Sequence, residues 1–167
     1  MVLPGIAYFS QAPLLWFARE AAQARGWSVL ELTERAPRGE ESFAWMRDRA
    51  ARSLDAADAE TMAVIGKSLA SAAAPLVAER GLAAVWLTPL LNRAEVREAL
   101  EGATRPALLV GSPADPAWGH GRVPNGPEVL ELEGLDHSLQ VEGNPHASLH
   151  VLRAVTERIG KFLDRLG

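Results

Sequence analysis

Short apolar runs alternate with amphipathic stretches along this chain, and that alternation limits the folds that it can adopt. The apolar runs, rich in β-branched residues, predict buried strands, and the stretches between them carry apolar residues at helical spacing. Six strands alternating with helices predict a three-layer α/β sandwich with a mainly parallel sheet, which binds ligands at the carboxyl ends of its strands. The predicted strands are 5–9, 27–32, 61–65, 82–87, 107–110 and 128–132, and the predicted helices are 13–25, 41–57, 69–80, 93–100 and 147–166.

The composition argues against several classes of function. The chain has 167 residues, which suits one domain spanning 1–167. Its net charge is −4 and its pI about 5.6, so nothing predicts a nucleic-acid-binding surface. It contains no cysteine, which excludes disulfides, thiolate catalysis and cysteine-ligated metals. No apolar run is long enough to cross a membrane and no signal peptide is indicated, so we expect a cytoplasmic protein.

The third predicted strand leads into Gly66-Lys67-Ser68-Leu69-Ala70. A serine between a strand and a helix, with tiny residues two positions before and after it, suits a sharp turn that exposes its hydroxyl. A side chain much larger than a methyl group at either flanking position would collide across that turn. The pattern predicts a nucleophilic serine, although serine after a strand is also a common helix N-cap.

Two other sites fit the sequence less well. The Gly-Lys-Ser triplet also ends the phosphate-binding loop motif, but that motif needs a glycine where Thr61 stands. His146 and His150 have the spacing of two metal ligands on one helical face, but no third ligand accompanies them. We therefore expect neither a nucleotide site nor a metal site.

An acid and a histidine follow the last two predicted strands. Asp115 lies in a proline-bracketed loop after the fifth strand, where it can fix the tautomer of a histidine; otherwise it is a turn aspartate bonded to its own backbone. His137 lies in the loop after the sixth strand, where it can take a proton from a serine hydroxyl; otherwise it is a surface histidine. Asp136, beside the histidine, is the second candidate for the acid.

Ser68, Asp115 and His137 thus follow successive strands in the order serine, acid, histidine. With these three motifs in this order, the chain resembles the α/β-hydrolase family, in particular small, lidless members similar to dienelactone hydrolases. The resemblance implies a catalytic triad of these residues and the spatial strand order 2-1-3-4-5-6 in the predicted numbering. The two antiparallel edge strands usual in the family are missing.

The resemblance also implies an oxyanion hole made of two backbone N–H groups. One belongs to the residue after the nucleophile, Leu69, and the other to the loop after the first strand. We expect Gln11 to supply the second N–H, with Ser10 as the next candidate, since Pro13 has none to donate.

The implied function is that of a serine hydrolase that cleaves a small ester or thioester through an acyl-enzyme, without a cofactor. The short segment after the fourth strand leaves no room for a lid, so we expect an open site. Lys67 either binds an acidic substrate or stabilises charge in the site, or else it points into solvent at the rim of the sheet. The alternative function is a non-catalytic binding protein on the same scaffold, and the open edges of the sheet would allow a homodimer. The residues expected to contact substrate are Ser10, Lys67, Thr88 and Trp118.

Overall fold

The computed structural model describes residues 1–119 and 122–166. Its centre is a parallel sheet whose strands lie side by side in chain order. All residues of the three middle strands are buried, as expected for apolar runs covered by helices on both faces. The strands are β1 Val2–Leu3, β2 Ala63–Lys67, β3 Ala83–Leu87, β4 Ala107–Gly111 and β5 Glu128–Glu131.

Helices cover both faces of the sheet and complete the three layers. α1 and α5 share one apolar core with the sheet, while α2, α3 and α4 share the other. Two 3-10 helices, Ser68–Ala73 and Pro116–Trp118, follow β2 and β4 at the carboxyl edge. In the described residues no helix is both long and apolar enough to cross a membrane. The helices are α1 Pro13–Gln23, α2 Glu41–Asp55, α3 Ala74–Glu79, α4 Ala94–Glu101 and α5 Pro145–Leu163.

The sheet described here has five strands, so the prediction of six is wrong. The first strand is β1, ahead of the predicted 5–9, because Pro4 ends it and the chain then turns. The predicted strand 27–32 is reduced to one parallel bridge between Glu31 and Val2. This segment does lie beyond β1, as the predicted order requires, but a two-residue strand offers it too little backbone to pair with.

The predicted helix 69–80 forms in two pieces. The chain continues from β2 as a 3-10 helix, and α3 begins only at Ala74, with Pro75 in its first turn. A proline is well placed there because it has no N–H to leave unpaired. The break before Pro75 therefore separates a tight turn at the carboxyl edge of the sheet from the helix that follows it.

Candidate active site

Ser68 stands at a sterically forced corner between β2 and the 3-10 helix. Its backbone is left-handed, with φ +52°, a conformation that is uncommon for any residue with a side chain. A Cβ atom added to Gly66 would lie 2.8 Å from the Cβ of Ala70 and 2.7 Å from the ring of Trp86. The two flanking positions are therefore in contact across the turn, which explains why both residues are small.

Ser71 braces this corner, a role that the sequence did not reveal. Its hydroxyl donates a hydrogen bond to the main-chain oxygen of Ser68 at 2.7 Å. It also accepts one from the N–H of Leu90 at 3.0 Å. Because Leu90 follows β3, these two bonds tie the serine turn to the loop of the neighbouring strand.

Three of the predicted side chains meet at the carboxyl edge of the sheet. His137 Nε2 lies 2.8 Å from Ser68 Oγ, and His137 Nδ1 lies 2.6 Å from Asp115 Oδ2. The Asp115 side chain is 2% exposed, whereas that of His137 is 39% exposed. Serine, histidine and aspartate thus form one continuous series of hydrogen bonds, buried at the acid and open to solvent at the imidazole.

The Asp115 carboxylate is held in its charged form. Burial alone would raise the pKa of Asp115, but hydrogen bonds from the His137 ring and from the Ala117 N–H hold that pKa below its usual value. The Ala117 N–H donates to Oδ1 at 2.9 Å, so each carboxylate oxygen has a partner. An anion fixed in this way can orient an imidazole and stabilise a positive charge on it.

Asp136, the second candidate for the acid, has a different role. Its Oδ1 accepts hydrogen bonds from the N–H groups of Ser138 at 2.8 Å and Gln140 at 2.9 Å. This is the local turn geometry that aspartate favours. Asp136 therefore shapes the loop that carries His137, and it is Asp115 that accepts the hydrogen bond from the imidazole.

Ser112 joins the acid loop to the histidine loop. It is fully buried, and its hydroxyl oxygen accepts hydrogen bonds from Leu135 N at 3.1 Å and Ala114 N at 3.3 Å. This role is not predictable from the sequence, because a serine after a strand has many possible partners.

The structure places three of the expected substrate contacts in the interior. Ser10 and Lys67 are each 2% exposed, and Thr88 is 0% exposed. The Lys67 ammonium group donates to Thr88 Oγ1 at 3.0 Å and to the main-chain oxygen of His137 at 3.0 Å. The expectation that Lys67 points into solvent is therefore wrong.

Trp118 is also interior. It is 0% exposed, and its indole N–H donates to Glu131 Oε2 at 2.7 Å. A Cβ atom at Gly111 would lie only 2.0 Å from the indole ring, so the ring packs directly on the end of β4. The indole ring therefore packs inside the protein, where it supports the loop that carries Asp115, and does not line an open pocket.

The early end of β1 changes which residues lie beside the nucleophile. Leu69, the first expected oxyanion donor, directly follows Ser68 and is the second residue of the 3-10 helix. The loop after β1 starts at Pro4, and a Cβ atom at Gly5 would lie 3.3 Å from Ser68 Cβ. Gln11, by contrast, is exposed in the turn that leads into α1.

No protein-family model matches this sequence, and no curated protein matches it. Solved structures do match it over nearly its whole length. Est1E from Butyrivibrio proteoclasticus, solved with ferulic acid bound, has a TM-score of 0.66 at 14% identity, over 99% of this chain and 87% of that one. Mouse alpha/beta hydrolase domain-containing protein 10 has a TM-score of 0.69 at 12% identity, over 99% and 89%. The chain has the α/β-hydrolase fold.

A third match is the esterase domain of a Rhodothermus marinus protein, with a TM-score of 0.64 at 19% identity, over 99% of this chain and 86% of that one. At these identities the likeness concerns the fold, and it confirms the α/β-hydrolase resemblance at that level.

Among the residues that the structure describes, no three histidine, cysteine or acidic side chains are grouped as metal ligands. His146 and His150 are both exposed near the start of α5.

Proposed function

We propose that this protein is a serine hydrolase that cleaves small esters or thioesters. The observation that carries the proposal is the hydrogen-bonded series from Ser68 Oγ through the His137 ring to Asp115, with distances of 2.8 and 2.6 Å. Nucleophile, general base and orienting acid are all within hydrogen-bond reach of their partners, as acyl transfer by this mechanism requires.

The reaction would proceed in two steps. Ser68 Oγ attacks the carbonyl carbon while His137 Nε2 takes the hydroxyl proton; the tetrahedral intermediate then expels the alcohol or thiol, which leaves with that proton. In the second step a water molecule loses a proton to the same nitrogen and attacks the acyl-enzyme. The new intermediate breaks its bond to Ser68 Oγ, which takes that proton back, and the acid is released. Asp115 keeps the Nδ1–H tautomer in place throughout and stabilises the transient imidazolium. This chemistry requires no cofactor.

The oxyanion would be held by two backbone N–H groups. Leu69 N–H is the first, since an N–H in the first turn of a helix has no partner within that helix. For the second we replace Gln11 with Ile6, because β1 ends at Leu3 and the loop passes Ser68 at Gly5. The Gly5 N–H is already donated to the Tyr8 oxygen at 3.1 Å, so the N–H of Ile6 is the next one available.

The substrate class follows from the shape of the chain around the site. The segment between β3 and β4 contains only the short helix α4, which supports an open site without a large lid. Three of the structural neighbours are the esterase Pf2001 from Pyrococcus furiosus, the Rhodothermus marinus esterase domain and a monoacylglycerol lipase from Paleococcus ferrophilus. Together with the proposed triad, this favours accessible ester or thioester bonds in small molecules.

A fluorophosphonate probe tests the proposal directly, because it reacts with a serine only where a base activates the hydroxyl. We expect the native protein to be labelled and to hydrolyse p-nitrophenyl acetate. Both activities should vanish in Ser68→Ala and persist in Ser53→Ala, a serine on α2 away from the site. A well-folded native protein that neither reacts nor hydrolyses short acyl esters and thioesters would instead be a binding protein.

A further inference from the structure

Lys67 has an unusual environment for a lysine. It is the last residue of β2, directly before Ser68, and is 2% exposed. Its ammonium group makes two hydrogen bonds of 3.0 Å, to Thr88 Oγ1 and to the main-chain oxygen of His137. It also lies 4.5 Å from the centre of the Tyr8 ring, within range of a cation–π contact. A buried ammonium is costly unless it is paired in this way.

The three contacts belong to three different loops at the carboxyl edge of the sheet. Tyr8 closes the turn that packs against Ser68. Thr88 follows β3 and is held at φ +44°, an outlier for a β-branched residue. The third loop carries His137 itself. One buried side chain therefore joins the loops on either side of the nucleophile to the loop that supplies the imidazole.

The charges around Lys67 are compatible with a cation at neutral pH. Burial lowers the pKa of Lys67 to about 8, while the negative charges of Asp115 and Asp136 act in the opposite direction. Burial raises the pKa of Tyr8, so its phenol stays neutral. The remaining titratable group in contact is His137, through its backbone.

We propose that Lys67 is a positioning residue: its ammonium ion holds the backbone of His137, so that the imidazole faces Ser68. This inference depends on the proposed hydrolase function and goes beyond it. It also differs from substrate binding, because the ammonium group is enclosed by the protein and its hydrogen bonds go to protein oxygens.

Two variants separate the charge of Lys67 from its geometry. Lys67→Met removes the charge and the donors but keeps an unbranched chain, and Lys67→Arg keeps the charge with a planar group of different shape. Lys161→Met, at an exposed position on α5, is the matched control. The measurements are kcat, KM and the pH dependence of kcat/KM for p-nitrophenyl acetate, with circular dichroism to check folding.

For Lys67→Met we expect kcat to fall about tenfold or more, since a small misplacement of a catalytic group is costly. KM should change by less than about threefold. In the native protein kcat/KM should fall in alkali as Lys67, whose pKa is lowered to about 8, loses its charge, and Lys67→Met should lack that alkaline fall. For Lys67→Arg we expect a loss of kcat without the alkaline fall, and for Lys161→Met no change.

Other outcomes overturn the inference. A folded Lys67→Met with native kcat and pH profile would make Lys67 a purely structural residue. A rise in KM confined to acidic esters, with kcat retained, would make it a substrate-binding residue. If Lys67→Met does not fold, Lys67→Gln, which is uncharged but can still donate, must likewise lack the alkaline fall of the native protein. Failure of the native protein to hydrolyse esters or react with the probe would instead refute the proposed function itself.

Discussion

The two sides of the nucleophile differ in how firmly the chain is held. On one side, β2 and the 3-10 helix after it are buried and in contact, with Gly66 against Ala70 and Trp86. On the other side, the loop after β1 rests on a two-residue strand, and Ile6 and Phe9 are 42% and 41% exposed. Dense packing requires small residues at particular positions, and these can be recognised in the sequence. A sparsely packed loop places few such requirements on its residues.

The largest effect on activity that we predict is on the firmly held side of the site, where the buried acid Asp115 is replaced. Asp115→Asn keeps the shape of the side chain but removes its charge and favours the wrong imidazole tautomer. We expect kcat for p-nitrophenyl acetate to fall on the order of 10³–10⁴-fold at pH 7. Asp136→Asn is the matched control, with an expected change below about tenfold. An equal loss in both variants would mean that the two carboxylates are interchangeable, contrary to their separate hydrogen bonds.

The pH dependence of this carboxylate has a definite sign. The pKa of Asp115 is lowered in the folded protein, so its contribution to stability is present above the pKa of an unfolded aspartate and is lost as pH falls through the folded value. Urea unfolding of the native protein and Asp115→Asn, compared from pH 7 downwards, should show the difference in unfolding free energy shrinking in acid. A constant difference would contradict the charged, hydrogen-bonded state described here.

The sequence was most informative where packing is dense. Small residues at 66 and 70 predicted the corner at Ser68, and the strand exits predicted where Asp115 and His137 would lie. Lys67 was misjudged because a polar residue at a strand end ordinarily faces solvent. Its burial depends on Tyr8 and Thr88, which lie far from it in the sequence and give no local signal.

The predicted strand 5–9 failed for a related reason. Its apolar composition favours a strand, but Pro4 ends β1 before it, and Ala7 adopts φ +53° within a tight turn. Since the oxyanion loop follows the end of that strand, the proposed second donor changes with the strand boundary, from Gln11 to Ile6. A single misplaced boundary therefore accounts for both differences.

The next prediction concerns the loop after β1, on the loosely packed side of the nucleophile. Ile6 occupies the second position of the turn from Gly5 to Tyr8, and the left-handed Ala7 at the third position is typical of a type II turn, which accepts proline at the second. Ile6→Pro should therefore fold while losing the proposed oxyanion donor. We expect kcat to fall about 10²–10³-fold.

Ile6→Ala is the control, because it keeps the N–H and removes only an exposed side chain. We expect its kcat to remain within about threefold of the native value and its unfolding free energy to change by no more than about 0.5 kcal/mol. Native activity in a folded Ile6→Pro would return the second donor to another N–H of this loop, with Gln11 as the first candidate.

A smaller effect, on the free energy of unfolding, tests the densely packed corner at Gly66. In Gly66→Ala the new methyl group would meet Ala70 Cβ at 2.8 Å and the Trp86 ring at 2.7 Å, and neither neighbour is free to move. We expect the free energy of unfolding in urea to fall by about 2–3 kcal/mol. A loss as small as that expected for Ile6→Ala would mean that the corner is no more rigid than the β1 loop.

The last prediction concerns Lys67, which joins the two sides, and it has opposite signs for stability and activity. Its pKa is about 8 in the folded protein against 10.5 for an ordinary lysine, so between these values the unfolded chain binds more protons and stability rises with pH. Relative to Lys67→Met, the native unfolding free energy should increase by about 1–3 kcal/mol between pH 7 and 10. Over the same pH range native kcat should fall, because the ammonium group loses its charge and holds His137 less firmly. Lys67→Arg should not show that fall, because arginine keeps its charge. If the unfolding free energy and kcat rose together with pH, the charge of Lys67 would only destabilise the fold and would play no part in positioning the imidazole.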